Sequence, residues 1–170
     1  MNELRLRTQF ITMKSAADRK ANDIPDVAVM MWFPIPERDG QEATDRAGAK
    51  YKAICDAVGA ASKGLATVNK IDDPTLVHKD RISPSVETWL SKSVLVICDL
   101  EANRPNVFYE FGFARATGTD VIAIRPDGEK TDFHLAQWTI DSYRDFEELK
   151  QKITPRIERV LSNYDLSGSV

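Results

Sequence analysis

One segment, residues 93–118, constrains the fold more than any other part of the chain. It begins with an unbroken apolar run at 94–98, VLVIC, which is rich in β-branched residues and is followed by Asp99. Such runs are typical of strands that are covered on both faces, as in a parallel sheet. A carboxylate that follows such a strand lies at the carboxyl edge of the sheet, where open α/β folds bind their ligands. Asp99 is therefore a candidate site residue.

A helix is predicted after this strand, beginning at Pro105 or Asn106. Proline is favoured at the first helical position and asparagine at the N-cap, so the two signals place the start within one turn. Inside the helix, Glu110 has no basic side chain three or four positions away in either direction. Two interpretations remain open: a partly desolvated carboxylate whose charge serves chemistry, or a glutamate that faces water or pairs with a distant arginine.

The motif around Glu110 resembles the signature of the nucleoside 2-deoxyribosyltransferase-like superfamily. The matching residues are DL at 99–100, NRPNVFYEFGFA at 103–114 and Gly118, and the similarity is greatest to the bacterial branch that reads NPNVFYELG. In that family the glutamate of the YELG segment is the nucleophile at the anomeric carbon of the sugar, which implies the same role for Glu110. Phe111 stands in place of the usual leucine, one core hydrophobe for another. The resemblance covers residues 27–161, but only the central motif is specific.

Composition narrows the class of protein. A chain of 170 residues is long enough for one domain with one substantial core. We predict this domain at 26–162, between an N-terminal extension at 1–25 and a flexible tail at 163–170. The net charge of −3 and the lack of a dense basic run argue against a nucleic-acid binder.

The same composition indicates a cytoplasmic location. No apolar run is long enough to span a membrane, and the N-terminus lacks a secretory hydrophobic region. Cys55 and Cys98 are far apart in apolar patterns, which favours buried free thiols. His78 has no Cys or His nearby, so no metal is expected, and no cofactor is implied.

The first core strand is predicted at 27–33, VAVMMWF, because Pro34 cannot continue a central strand. In the resembling superfamily the loop after this strand forms one wall of the nucleoside pocket, which implies Met31, Trp32 and Phe33 as substrate-binding residues. An aromatic ring here offers a surface on which a base can stack. The alternative for Trp32 is that it caps the core. The loop at 34–40 is either a mobile lid or a solvated turn.

Hydrophobic periodicity and turn signals predict the remaining elements. Most of the turns are marked by glycine, proline or paired acidic residues, and Pro155 is expected to kink or divide the last helix. The predicted elements are a helix at 43–61, a strand at 65–68, a turn at 69–74, a helix from 83 or 85 to about 91, a strand at 121–124, a turn at 125–128, a strand at 139–143 and a helix at 144–161.

Strands that alternate with helices imply right-handed crossovers and a parallel sheet with helices on both faces. The fold class is therefore α/β, a flavodoxin-like three-layer sandwich with strand order 2-1-3-4-5. The switch point of this order lies between the first and third strands, so the loop after Phe33 should lie beside the loop after Cys98. Two separately identified stretches thus converge on one crevice.

Three further residues complete the predicted site. The resembling family often has a basic residue after the second strand, and Arg81 fits this place loosely. Its guanidinium could hold a phosphate or ribose oxygen, or it could be a solvated loop charge. Asn106 and Tyr109 would orient the sugar hydroxyls or the nucleophile.

The hypothesis that follows is cleavage or transfer of an N-glycosidic bond in a nucleoside or nucleotide. Glu110 would stabilise or capture the oxocarbenium-like sugar, and Asp99 would give a proton or hydrogen bond to the leaving base. Water as the acceptor would make the enzyme a hydrolase, and a second base would make it a transferase. The expected partner is this small molecule, and the expected assembly is a homo-oligomer, because related enzymes often complete their pockets across subunits.

Two other functions remain open at this stage. Toll/interleukin-receptor-like domains also place a glutamate in a flavodoxin-like crevice, so the protein could cleave the nicotinamide bond of NAD. A different class is a non-catalytic sensor that binds a nucleotide and signals through a partner.

Overall fold

The computed structural model describes residues 25–71, 86, 89–90, 92–129 and 138–164. Within these residues strands and helices alternate along most of the chain. The strands are β1 (Asp26–Met30), β2 (Thr67–Lys70), β3 (Leu95–Asp99), β4 (Asp120–Pro126) and β5 (Ile140–Tyr143), and the helices are α1 (Pro36–Asp39), α2 (Gln41–Ser62), α3 (Pro105–Ala116) and α4 (Phe146–Leu161).

The five strands form one parallel sheet in the order β2-β1-β3-β4-β5, which confirms the predicted flavodoxin-like topology. β1 and β3 are direct neighbours, and Met30 at the end of β1 pairs with Cys98. Asp99, the last residue of β3, pairs with Ile124 of β4. The loops that leave β1 and β3 therefore start side by side at the carboxyl edge of the sheet.

Successive strand residues point to opposite faces of the sheet, and their side chains pack into two separate hydrophobic cores, one on each face. Val27 and Val29 of β1 pack on the face that α2 and α4 cover. Ala28 and Met30 pack on the opposite face, against α3 and the helical residues at 86 and 90. All five residues of β3 are buried, as expected for a central strand with helices on both sides.

Several element boundaries differ from the sequence predictions. β1 ends at Met30, so residues 31–33 lie beyond the strand pairing. The turn predicted at 69–74 is wrong at its start, because Asn69 and Lys70 pair with β1. The turn predicted at 125–128 is likewise wrong at its start, because Arg125 and Pro126 pair with β5, whereas Asp127 and Gly128 form a turn as predicted. In both places backbone pairing with a neighbouring strand overrides the local turn signal.

Two loop predictions are resolved by the structure. α3 begins at Pro105 with Arg104 as its N-cap, so the proline signal was the correct one. Residues 36–39, within the predicted loop, form the short helix α1, and Asp39 accepts a hydrogen bond from the Ile35 amide at 2.8 Å. Residues 1–24, 72–85 and 165–170 lie outside the described residues, and with them most of the predicted extension, the start of the helix predicted from 83 or 85, and most of the predicted tail.

α4 runs through Pro155 as one helix, so the prediction that proline divides it is wrong. Its buried stripe of Leu149, Ile153, Ile157 and Leu161 packs into the core and holds the helix together. Among the described residues, no helix is long and apolar enough to cross a membrane.

Replacing Pro155 with alanine is expected to stabilise the protein by about 1–3 kcal/mol. The exposed alanine restores the backbone N–H that proline lacks in the helix interior and removes the clash of the ring with the preceding turn. Urea unfolding of the variant and the parent measures the difference, and an unchanged or lower midpoint would show that the helix carries no such penalty.

Candidate functional site

Glu110 lies on the buried face of α3, together with Val107, Phe111 and Ala114. It is only 4% exposed, which rules out the alternative of a glutamate facing water. Helical spacing accounts for this position, since residues 107, 110, 111 and 114 fall on one stripe of the helix.

The Cys98 thiol shows where Glu110 lies relative to the sheet. Burial raises the pKa of this thiol well above its usual value, and the negative charges of Asp99 and Glu110 raise it further. The thiol also lies 3.9 Å from the carbonyl oxygen of Val107, to which it donates a weak hydrogen bond. The first turns of α3, including Glu110, are therefore packed against the carboxyl end of β3.

Asp99 is buried at the end of β3, with 3% of its surface exposed. Consecutive strand residues point to opposite faces, so Asp99 lies on the α2 side and Cys98 on the α3 side. One oxygen accepts a hydrogen bond from the Lys50 ammonium at 2.6 Å, and the other from the Glu101 amide at 3.2 Å. Burial raises the pKa of Asp99, and the Lys50 charge acts in the opposite direction.

Lys50 and Glu101 were missed in the sequence analysis. Lys50 comes from α2, and its side chain is only 3% exposed between Asp99 and Glu101. Glu101 also accepts a hydrogen bond from Arg46 at 2.9 Å. The available signal was that Lys50 lies on the same helical stripe as Ala47 and Ile54, where an apolar residue is expected.

Tyr143 from β5 packs near this charge cluster. Burial raises the pKa of its hydroxyl, and the charges of Asp99 and Glu101 add to that effect. Among the described residues, no hydrogen-bond partner reaches the hydroxyl. Tyr143 is thus an uncharged side chain near the Lys50 and Asp99 pair.

A cavity of about 440 Å³ opens at the carboxyl edge of the sheet, on the side of the charge cluster. This volume is in the range of small-molecule sites. Glu110 is not among the described residues that line it. Its described lining consists of Trp32, Asp39, Gly40, Gln41, Glu42, Ala43, Arg46, Ala47, Lys50 and Glu101.

Trp32 connects the two loops that the topology brings together. Its ring lines the cavity, and the guanidinium of Arg104 lies 3.7 Å from the ring centroid. Arg104 is the N-cap of α3, so this cation–π contact joins the loop after β1 to the loop after β3. The predicted convergence of these loops is confirmed.

The other two residues of the predicted wall lie elsewhere. Met31 is fully buried in the core on the α2 side. Phe33 packs edge-on against Tyr51 with ring centroids 5.7 Å apart, and the Lys70 ammonium lies over both rings. Of the three residues, only Trp32 lines the cavity.

The remaining predicted residues are spread around α3. Asn106 is exposed near its start, and Tyr109 is 60% exposed. Arg81 lies outside the described residues. The structure therefore places Asp99, Trp32 and Glu110 around one edge of the sheet, with Asp99 and Glu110 approaching it from opposite faces.

Comparison with known proteins gives a fold likeness. No protein-family model matches the chain, and no curated protein matches it significantly. A solved structure, the CMP N-glycosidase BcmB of Clostridium botulinum, is similar with a TM-score of 0.53 and 15% sequence identity. The match covers 77% of this chain and 98% of that one. At this identity the likeness shows a shared fold and no more.

Proposed function

We propose that this protein cleaves the N-glycosidic bond of a nucleoside or nucleotide, with Glu110 as the nucleophile. The observation that carries the proposal is the burial of Glu110 beside the carboxyl end of β3, where this fold binds ligands. Two further points support it. The motif from Asp99 to Gly118 resembles that of the nucleoside 2-deoxyribosyltransferase-like superfamily, and the fold is shared with a CMP N-glycosidase.

In the first step, a Glu110 oxygen attacks the anomeric carbon of the sugar. The C–O bond forms as the bond from this carbon to the base nitrogen breaks, and the base leaves with the electron pair. The transition state resembles an oxocarbenium ion, which a nearby carboxylate stabilises. A buried carboxylate interacts more strongly with this developing charge than one in water would.

The leaving base must gain a proton, and we assign its delivery to Asp99. Both oxygens of Asp99 accept hydrogen bonds in the resting site, so it is a carboxylate there, and burial raises its pKa, which favours uptake of the proton that it then passes to the base. Asp99 and Glu110 lie on opposite faces of the sheet, and both are near its carboxyl edge. Trp32 offers a stacking surface, and Asn106 and Tyr109 orient sugar hydroxyls.

In the second step, water attacks the same carbon and gives a proton to Asp99, which lost one to the base, while the C–O bond to Glu110 breaks and its electron pair regenerates the carboxylate. If a free base takes the place of water, the product is a new nucleoside. Arg81, outside the described residues, is the proposed contact for a substrate phosphate, since a guanidinium binds phosphate through two parallel hydrogen bonds.

The proposal is tested by incubating the protein with nucleosides, nucleoside monophosphates and NAD and separating the products by chromatography. We expect release of free base from a nucleoside or monophosphate, and adding a second base distinguishes transfer from hydrolysis. Release of nicotinamide alone would point to the NAD-cleaving alternative. Tight binding of a nucleotide without any release would favour the sensor.

Replacing Asp99 with asparagine is expected to slow base release by about 10²-fold, because the amide cannot deliver a proton to the base. The loss should be smaller for a substrate whose base leaves readily without protonation. Measuring kcat for a natural nucleotide and for such an activated analogue checks this. An equal loss on both substrates would remove Asp99 from the proton-transfer step.

A further inference from the structure

We infer that Lys50 is a positioning residue: it holds the β3–α3 loop (residues 100–104) in the conformation that sets the place of α3, and with it Glu110. The inference rests on the proposed function for its catalytic consequence. The contacts of Lys50 with Asp99 and Glu101 are independent of that function, and thiol labelling of Cys98 tests their effect on α3.

The β3–α3 loop has an unfavourable backbone. Ala102 and Asn103 both adopt left-handed conformations, with φ of 59° and 49°. Asparagine tolerates this region better than other residues with a β-carbon, so the strain is greatest at Ala102, and two such residues in succession need support from their surroundings. The loop would relax to a different path if that support were removed.

Side chains from other elements supply the support at each position. The Glu129 carboxylate accepts a hydrogen bond from the Ala102 amide at 3.0 Å. The Arg125 guanidinium donates one to the Asn103 side-chain oxygen at 2.8 Å. Glu101, near the start of the β3–α3 loop, contacts the Lys50 ammonium and the Arg46 guanidinium.

Lys50 and Arg125 are equally buried, and Lys50 differs from Arg125 because it joins a carboxylate at the strand end to one in the loop. Its ammonium bonds Asp99 at the end of the strand and Glu101 in the loop, which fixes the distance between them. Arg46 binds Glu101 from the solvent side with 59% of its side chain exposed. An exposed pair contributes little, so of the two cations that bind Glu101, Lys50 is the stronger anchor.

The position of the loop is transmitted to Glu110 through α3. The helix begins directly after the loop, at Arg104 and Pro105, and its rise places Glu110 about 7.5 Å further along the axis. A helix moves as a rigid body, so a shift at its first turn reaches this side chain. A displacement of about 1 Å at a reacting group can cost about 100-fold in rate.

Cys98 reports the position of α3 without any need for activity. The thiol is fully buried and contacts the Val107 carbonyl in the first turn of the helix. The chain has two cysteines, so a Cys55→Ser background leaves Cys98 as the single thiol. Its rate of reaction with a small thiol reagent measures how often α3 lifts from the end of β3.

The experiment compares Lys50→Met, Glu101→Gln and the matched control Lys52→Met in this background. Lys52 lies on the same helix, 75% exposed, and pairs only with Asp56 among the described residues. Glu101→Gln leaves the Lys50 and Asp99 pair in place, so it tests the loop contact even if Lys50→Met fails to fold. Labelling is measured without denaturant and at low urea, because local opening depends weakly on urea whereas global unfolding depends on it strongly.

We expect Lys50→Met and Glu101→Gln to raise the labelling rate of Cys98 about tenfold or more through local opening, and Lys52→Met to change it less than about twofold. On a cleaved nucleotide, kcat of Glu101→Gln should fall about tenfold with KM unchanged, as for a displaced catalytic group.

Unchanged labelling in Glu101→Gln, and in Lys50→Met where it folds, would overturn the inference. If the wild-type protein releases no base from any nucleotide, the proposed function fails, while the labelling rates still decide whether Lys50 holds α3 in place.

Discussion

Replacing Glu110 with glutamine is expected to reduce base release by at least about 10³-fold. Glutamine has nearly the same shape, so the packing of α3 against β3 should be kept. The amide, however, is a poor nucleophile and brings no negative charge to the oxocarbenium-like transition state. The measurement is kcat and KM for the best nucleotide of the panel, with KM expected to change little.

A glutamate elsewhere on the chain supplies the matched control. Glu158 is exposed on α4, and Glu158→Gln should retain full activity. Unfolding by urea confirms that Glu110→Gln is folded. Activity within tenfold of the wild type would remove Glu110 from the chemistry, and the burial of this side chain would then need a structural explanation.

Replacing Lys50 with methionine is expected to destabilise the protein by about 3–5 kcal/mol, because it leaves Asp99 as a buried carboxylate without its cation. The ammonium contacts Asp99 at 2.6 Å with both side chains almost fully buried. Lys52→Met on the same helix should change the free energy of unfolding by less than about 0.5 kcal/mol, since it removes only an exposed pair. Urea unfolding at neutral pH measures both.

The stability of the Lys50→Met variant should depend on pH with a definite sign. Burial raises the pKa of Asp99 above its usual 3.8 in the folded state, and loss of Lys50 raises it further. The folded protein then holds a proton that the unfolded chain releases, so stability falls as pH rises from 3.8 through the folded pKa. The loss in the free energy of unfolding relative to wild type should therefore shrink as the pH is lowered through the folded pKa of Asp99 toward 3.8.

Other charged side chains act on Asp99 and Tyr143, so the pH comparison is made in proteins in which those side chains are unchanged. Glu101 raises the pKa of Asp99, and Tyr143 from β5 packs close enough for both carboxylates to act on it. Arg46 and Glu129 are the further charges that influence Tyr143. A destabilisation that is small, or that does not change with pH, would show that Lys50 compensates no buried charge.

The sequence determined the fold to a large extent. The run at 94–98 is short, apolar on both faces and rich in β-branched residues, which favours a strand between two helical layers over a buried helix. Alternation of strands and helices then left few topologies, and the predicted strand order is the observed one. The convergence of the loops after β1 and β3 followed from this order and is seen in the contact between Trp32 and Arg104.

The polar interior of the site was harder to predict. Periodicity puts Lys50 on the buried stripe of α2, but it does not show that the side chain reaches across the sheet edge to Asp99. The contact joins residues 49 positions apart in the chain, and no local pattern reports such a pair. Glu101 was also missed, because its partial burial depends on the path of a strained loop.

The three residues after β1, Met31, Trp32 and Phe33, show what the resemblance to a family could not predict. The resemblance grouped Met31, Trp32 and Phe33 as substrate contacts, but their side chains diverge once the strand pairing stops at Met30. Met31 enters the core and Phe33 packs on Tyr51, while Trp32 lines the cavity. Alternation of side chains along an extended chain separates Trp32 from the other two, and it is the signal that would have resolved the group.

Mass spectrometry of the protein, quenched in acid during turnover of a nucleotide, tests the role of Glu110 most directly. We predict a mass increase that equals the sugar portion of the substrate, carried by the peptide that contains Glu110 and lacking in Glu110→Gln. Base release with the sugar bound to another residue, or at an undiminished rate in Glu110→Gln, would contradict the assignment of Glu110 as the nucleophile.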